Sequence, residues 1–163
     1  MTAANRPESK TYSSADFDKT PVQPHVFIPD RLIHRNVEGD GQRDDYSQQR
    51  KHPVAFVDLP SKCLSMTIGG LASGQSSNMH RHTYETILYV LEGEGYSTIQ
   101  GQKIEWTQGD AVYIPVWAWH RHTNTGTGNA RYLACENAPL LQNIGGIALR
   151  EEAQTSDKGG NRE

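Results

Sequence analysis

Cysteine is scarce in this chain. Cys63 and Cys135 are only two, far apart, too few for a disulfide framework and without the paired spacing of a structural zinc site, so both are expected as buried thiols. Long apolar runs are missing as well: nothing approaches the roughly 18 residues that span a bilayer, and the start, Met1-Thr2-Ala3-Ala4-Asn5-Arg6-Pro7-Glu8, has no signal-like apolar stretch. The expectation is a soluble, cytoplasmic protein with no membrane partner. There is no surplus of positive charge, since 16 Lys and Arg stand against 19 Asp and Glu, so nucleic acid is not an expected partner either. Neither an internal repeat nor a glycine-rich loop leading into a helix is present, which removes support for nucleotide-binding folds. With 163 residues the chain has room for one ordinary domain and not for two.

What charge there is lies unevenly. Residues 1–52 and 150–163 hold 23 of the 35 charged side chains, while 53–149 hold 12. A segment such as Gly39-Asp40-Gly41-Gln42-Arg43-Asp44-Asp45 buries too little apolar surface to offset its ordering entropy. The expected organisation is therefore a polar N-terminal extension over 1–52, a folded domain over 53–149 and a flexible tail over 150–163. Within the extension, Pro24-His25-Val26-Phe27-Ile28-Pro29 is a candidate arm over 24–29, laid on the domain or on a partner subunit, or else a loosely ordered stretch. The domain reads as short β-prone runs separated by glycine turns: Val54–Leu59, Leu64–Ile68, Thr86–Leu91, Tyr96–Ile99, Lys103–Trp106, Ala111–Ile114, Trp119–Thr123 and Arg131–Cys135. Eight such runs, with no helix needed, predict an all-β, double-sheet jelly roll.

Four of the seven histidines form two His-x-His pairs, His80-Arg81-His82 and His120-Arg121-His122. Residues two apart on a strand share a face, so each pair can aim two imidazoles into one barrel interior. A single pair is weak evidence, because exposed strands also carry histidines that bind nothing. Two pairs about forty residues apart, each near glycines, point to one polar site.

The surroundings of the pairs resemble the two motifs of the cupin family. The first is Gly74, five residues, His80, one residue, His82, continuing to Leu88-Tyr89-Val90-Leu91-Glu92-Gly93-Glu94-Gly95; the second is Gly109-Asp110, Pro115, Trp117, His120 and Asn124, with Trp117 where many cupins have glycine. The resemblance implies a single cupin barrel, a double-stranded β-helix, holding a metal through His80, His82 and His120. Many cupins add a Glu four positions after the second His, and here that position is Thr86. Glu85 lies one residue short and points away on an unbroken strand, so three histidines and no carboxylate are expected. Such neutral ligands leave a divalent ion its full charge and, if it is six-coordinate, three open positions. Because they must be neutral, metal affinity is expected to fall below about pH 6.

His80-Arg81-His82-Thr83, Tyr89 to Gly95, Pro115-Val116-Trp117-Ala118-Trp119-His120 and Tyr132 to Leu140 are similar to the first barrel of gentisate 1,2-dioxygenase-like enzymes, which also use three histidines. This implies iron(II), a chelating small-molecule substrate and dioxygen. The family's carboxylate-gripping arginine falls on Leu88, which favours a substrate without a carboxylate unless another arginine replaces it. The implied function is iron(II)-dependent cleavage of a carbon–carbon bond in a small phenolic, hydroxy-ketone or diketone compound. The alternatives are a non-redox lyase or isomerase using zinc, nickel or manganese, and a small-molecule binding cupin. His122, on the face of His120, is expected to act as acid or base, or to give a supporting hydrogen bond. Tyr84 is expected to donate a hydrogen bond to substrate or oxygen, or to be a rim residue. Trp117 and Trp119 are expected to pack in the core or rim, and Arg81 and Arg121 to be solvated. Jelly-roll sheet edges invite pairing, so a homodimer is expected.

Overall fold

The computed structural model describes residues 28–153. Residues 24–27 of the candidate arm lie outside the described residues, and the description that follows is of the compact unit that begins at Arg31. Its elements are α1 (Val37–Asp40), α2 (Asp44–Arg50), β1 (Val54–Phe56), β2 (Ser65–Leu71), β3 (His80–His82), β4 (Thr86–Glu92), β5 (Glu94–Ile99), β6 (Gln102–Thr107), β7 (Ala111–Ile114), β8 (His120–Asn124), β9 (Ala130–Glu136), α3 (Ala138–Asn143) and β10 (Arg150–Glu152). The strands form two five-stranded sheets, in the orders β1-β2-β9-β4-β7 and β10-β3-β8-β5-β6, and neighbouring strands run antiparallel. This is the expected jelly roll. No helix among the described residues is long and apolar enough to cross a membrane.

Period-two alternation places the core. On β4, Thr86, Leu88 and Val90 are buried while Ile87 and Tyr89 are exposed; on β9, Ala130, Tyr132 and Ala134 turn inward. Leu71, Leu88, Val90, Trp106, Val112, Ile114, Ala130 and Tyr132 make one contiguous cluster. Two glycines are needed where strands crowd. Gly93, at the β4–β5 turn, has φ +87°, and a Cβ on Gly95 would lie 2.0 Å from the carbonyl oxygen of Thr123.

Structure extends beyond 53–149 on both sides. In the segment expected as a polar extension, α2 begins with Asp44 and Asp45 in its first turn and carries Arg50 in its last, which suits the helix dipole. The stretch is tied to β1 mostly by polar groups: Phe56 N donates to Gly41 O at 2.8 Å and Val54 N to Ser47 Oγ at 3.1 Å. Tyr46 and Phe56 add an edge-to-face ring contact at 4.8 Å. At the other end, Arg150–Glu152 is a strand paired with β3, where a tail was expected. Edge pairing satisfies backbone groups without apolar burial, so charge-rich composition hides it. The helix α3, not needed by the strand pattern, begins with Pro139 in its first turn, where proline's fixed φ is favourable. The thiols differ from expectation as well: Cys63 is exposed and Cys135 half-buried.

Candidate metal centre

The two His-x-His pairs fall on adjacent strands of one sheet, β3 and β8, with His80 directly opposite His120. All four imidazoles are buried. One nitrogen from each of His80, His82 and His120 can be chosen so that the three atoms lie within 4.8 Å of one another. Their other nitrogens are already engaged, each on a nearby carbonyl: His80 Nδ1 with Asn78 O at 2.8 Å, His82 Nδ1 with Tyr84 O at 2.7 Å and His120 Nδ1 with Ala118 O at 2.8 Å. A carbonyl can only accept, so each Nδ1 carries the proton and each Nε2 keeps its lone pair for the space the three rings share. Burial lowers all three pKa values. His82 and His120 are brought down to about 4, His82 also by the neighbouring His120, and His80 is lowered further by burial and then by the positive charge of Arg150. At neutral pH the rings are uncharged donors, a set that fits a divalent transition metal.

His122 is fully buried and stands beside this trio rather than in it, its ring centroid 5.7 Å from that of His120. Its Nδ1 meets Ser97 Oγ at 2.8 Å, and Ser97 Oγ also accepts from Trp106 Nε1 at 3.0 Å. Tyr84 is stacked on His82, the rings 4.1 Å apart and 2° from parallel. Tyr84 therefore supports His82 twice, with its ring and with its carbonyl. Glu85 is turned away, as expected: it accepts from the Tyr113 hydroxyl at 2.8 Å on the exposed side.

On the outer face, Arg81 is not left to solvent. Its guanidinium lies 4.2 Å from the ring centroid of Trp117 and 4.4 Å from that of Trp119, and it pairs with Glu151 at 2.7 Å. Trp117 occupies the glycine position of the motif with φ +63°, in the left-handed region. Its stacking on Arg81, and a hydrogen bond from its backbone N to His82 O at 2.8 Å, offset that conformational cost.

The histidines open on a cavity of about 40 Å3. Its inner wall is apolar, with Val54, Leu88, Ile114 and Ala134, and its polar lining includes Thr86, Glu136, Arg50 and Arg150. Sequence reasoning passed over the last three. Glu136 shares strand parity with inward Tyr132 and Ala134, which is a readable signal. Burial raises its pKa, and Arg50 and Arg150 pull it back. Arg150 is brought in by register: it faces His82 across β10–β3 and Glu152 faces His80, so both side chains share the inward face of those histidines.

Residues 68–136 match the cupin domain family Cupin_2. Among known proteins the chain is similar to a 5-aminosalicylate 1,2-dioxygenase from Comamonas sp, 33% identical over 79 residues, which are 48% of this chain and 20% of that protein. It is also similar to a gentisate 1,2-dioxygenase from Ralstonia sp, 33% identical over 72 residues, 44% of this chain and 20% of that protein. The aligned region thus spans about a fifth of the length of these relatives. A solved structure of salicylate 1,2-dioxygenase from Pseudoaminobacter salicylatoxidans, in adducts with gentisate, superposes with a TM-score of 0.58 at 20% identity, over 70% of this chain and 34% of that one, which shows a shared fold. Two antiparallel sheets thus form a jelly roll around the matched motifs, and residues 68–136 are similar to a cupin domain in both sequence and architecture.

Proposed function

We propose that this protein is an iron(II)-dependent dioxygenase that cleaves a carbon–carbon bond in a small phenolic, hydroxy-ketone or diketone compound, with His80, His82 and His120 as the metal ligands. The observation that carries the reading is the donor set: three imidazoles with their Nδ1 atoms committed to carbonyls, and no carboxylate in the group. Three neutral donors leave a divalent ion its charge, which an anionic chelating ligand offsets. Similarity to ring-dioxygenases supports the same class, although the aligned region is only part of those proteins. Iron(II) held there supplies the redox chemistry that dioxygen needs to react with a closed-shell organic molecule.

The protein's own groups have separable tasks. Tyr84 and the carbonyls of Asn78, Tyr84 and Ala118 fix ring orientation and tautomer. Val54, Leu88 and Ile114 keep water from the inner end of the cavity. His122, tied at Nδ1 to Ser97, retains Nε2 to take or return a proton from a ligand hydroxyl. Protein loaded anaerobically with iron(II) is expected to consume one dioxygen per molecule of substrate in a screen over phenols, hydroxy-ketones and diketones. His120→Ala is expected to lose both bound iron and oxygen uptake. Uptake that persists in the variant, or substrate conversion that proceeds equally well without oxygen, contradicts the proposal.

A further inference from the structure

The three-histidine cavity has a volume of about 40 Å3, against the ~150 Å3 of a cavity that binds benzene. A phenol or a diketone does not enter it as it stands, so part of its wall has to yield. Nearly every side chain on that wall is carried by a strand of one of the two sheets. The exceptions are Arg50, the last residue of α2, and His52, in the link from α2 to β1. Moving a strand breaks the hydrogen bonds of its ladder, whereas turning a side chain of the link breaks none of them.

His52 is placed to move. It is only 8% exposed, yet it lines two spaces: the histidine cavity on one side and, on the other, a hollow of about 340 Å3 bounded by Gln42, Asp44, Ser47, Gln48 and Pro53. Among the described residues no other borders both. The backbone on either side of it is pinned, with Gln75 Nε2 donating to Lys51 O at 2.6 Å and Gly70 N to Pro53 O at 3.2 Å. Its ring is held far less. Among the described residues its one hydrogen bond runs from Nδ1 to the adjacent Pro53 O at 3.1 Å, and the ring of Tyr132 stands 6.4 Å away, centroid to centroid. A side chain with empty space beside it and one local bond can change rotamer without moving the backbone that carries it.

We propose that His52 is the gate of the three-histidine cavity: its imidazole divides that cavity from the hollow beside α2, and by turning out into the hollow it joins the two into one site that admits a ring-sized ligand. This rests on reading the cavity as the ligand site, and it adds the residue that sets the size of what reaches the histidines. A ligand of two or three atoms needs no added room and is indifferent to the turn. A ring-sized ligand waits for it, and its association is slowed by the fraction of time the gate is shut.

The test uses the full chain loaded with cobalt(II) under anaerobic conditions, where visible absorption reports ligand binding and no oxygen chemistry takes place. Azide, with three atoms, and catechol, with a six-membered ring, are mixed by stopped flow with the wild type, His52→Ala and His52→Trp, and cobalt content is measured in each. His52→Ala is expected to raise the association rate of catechol by about tenfold or more, and His52→Trp to lower it by about as much. The azide rate and the cobalt content are expected to stay as in the wild type. Either variant decides by itself if the other does not fold. A catechol rate indifferent to the residue at position 52, an equal change for both probes, no catechol binding in His52→Ala, or loss of cobalt in both variants overturns the gate. A wild type that binds no cobalt removes the metal site and the gate with it. A catechol rate set by residue 52 in a protein whose iron form never consumes oxygen leaves the gate standing and removes the dioxygenase; oxygen uptake with an indifferent catechol rate does the reverse.

Discussion

The four buried imidazoles make the residue scale the place where pH acts. In an unfolded chain a histidine titrates near ~6.5; in the fold, His82 and His120 do so at about 4, mainly because burial penalises the charged ring. Between these values the unfolded chain binds more protons, so stability rises with pH: this contribution is complete above about 6.5 and is lost as pH falls toward about 4. Metal-free protein is therefore expected to show a melting temperature that drops steadily from pH 6.5 to pH 4.5, and a flat profile would count against the burial of neutral rings. The expected loss of metal below about pH 6 accordingly belongs lower, nearer the folded values, as long as the chain stays folded. Ser97 offers a second check. It is wholly buried and its one oxygen serves both Trp106 Nε1 and His122 Nδ1. Ser97→Ala leaves two buried groups without a partner and is expected to cost about 2–4 kcal/mol in urea unfolding, whereas a change within experimental error would mean that water replaces the hydroxyl.

Among the elements, β3 is the weak one on which the site depends. It has three residues, it pairs with β8 through His80–His120 alone, and β10 supplies three pairs on its other edge. A chain ending at Leu149 is expected to keep the barrel core but to bind zinc at least tenfold more weakly in a chelator competition, because two of its three ligands lose their support; unchanged affinity would show that β10 is dispensable. The same strand marks how far the sequence can be read. His80 and His82, like His120 and His122, were legible because period two is a local pattern and the glycine and proline spacings around them are specific. The runs on β4, β7 and β9 were legible for the same reason. Arg50 and Arg150 were not, since their inward direction comes from docking of α2 on β1 and from the register of β10 on β3, pairings between distant and highly charged segments that leave no local period. Glu136 lies between these cases: its parity with Tyr132 and Ala134 says inward, its charge says solvent, and parity decides. Arg81 is a different kind of miss, outward on its strand as expected yet enclosed by Trp117 and Trp119, which only the turn after β7 brings into place.

At the scale of the whole molecule, a jelly roll gives the ligands a rigid frame, and the segments that flank it close the site. The chain carries a net charge of -3, while the cavity gathers two arginines, the buried Glu136 and the neutral imidazoles of His80, His82 and His120. A metal bound by His80, His82 and His120 would be the centre of the chemistry, because the surrounding groups either position these rings or face the space beside them. The most direct test is the metal content of the full chain purified without oxygen or chelator, beside the His120→Ala variant prepared in the same way. Iron near one atom per chain is expected in the first and almost none in the second. Iron retained by the variant, or a wild-type chain that holds no iron even after loading, would contradict it.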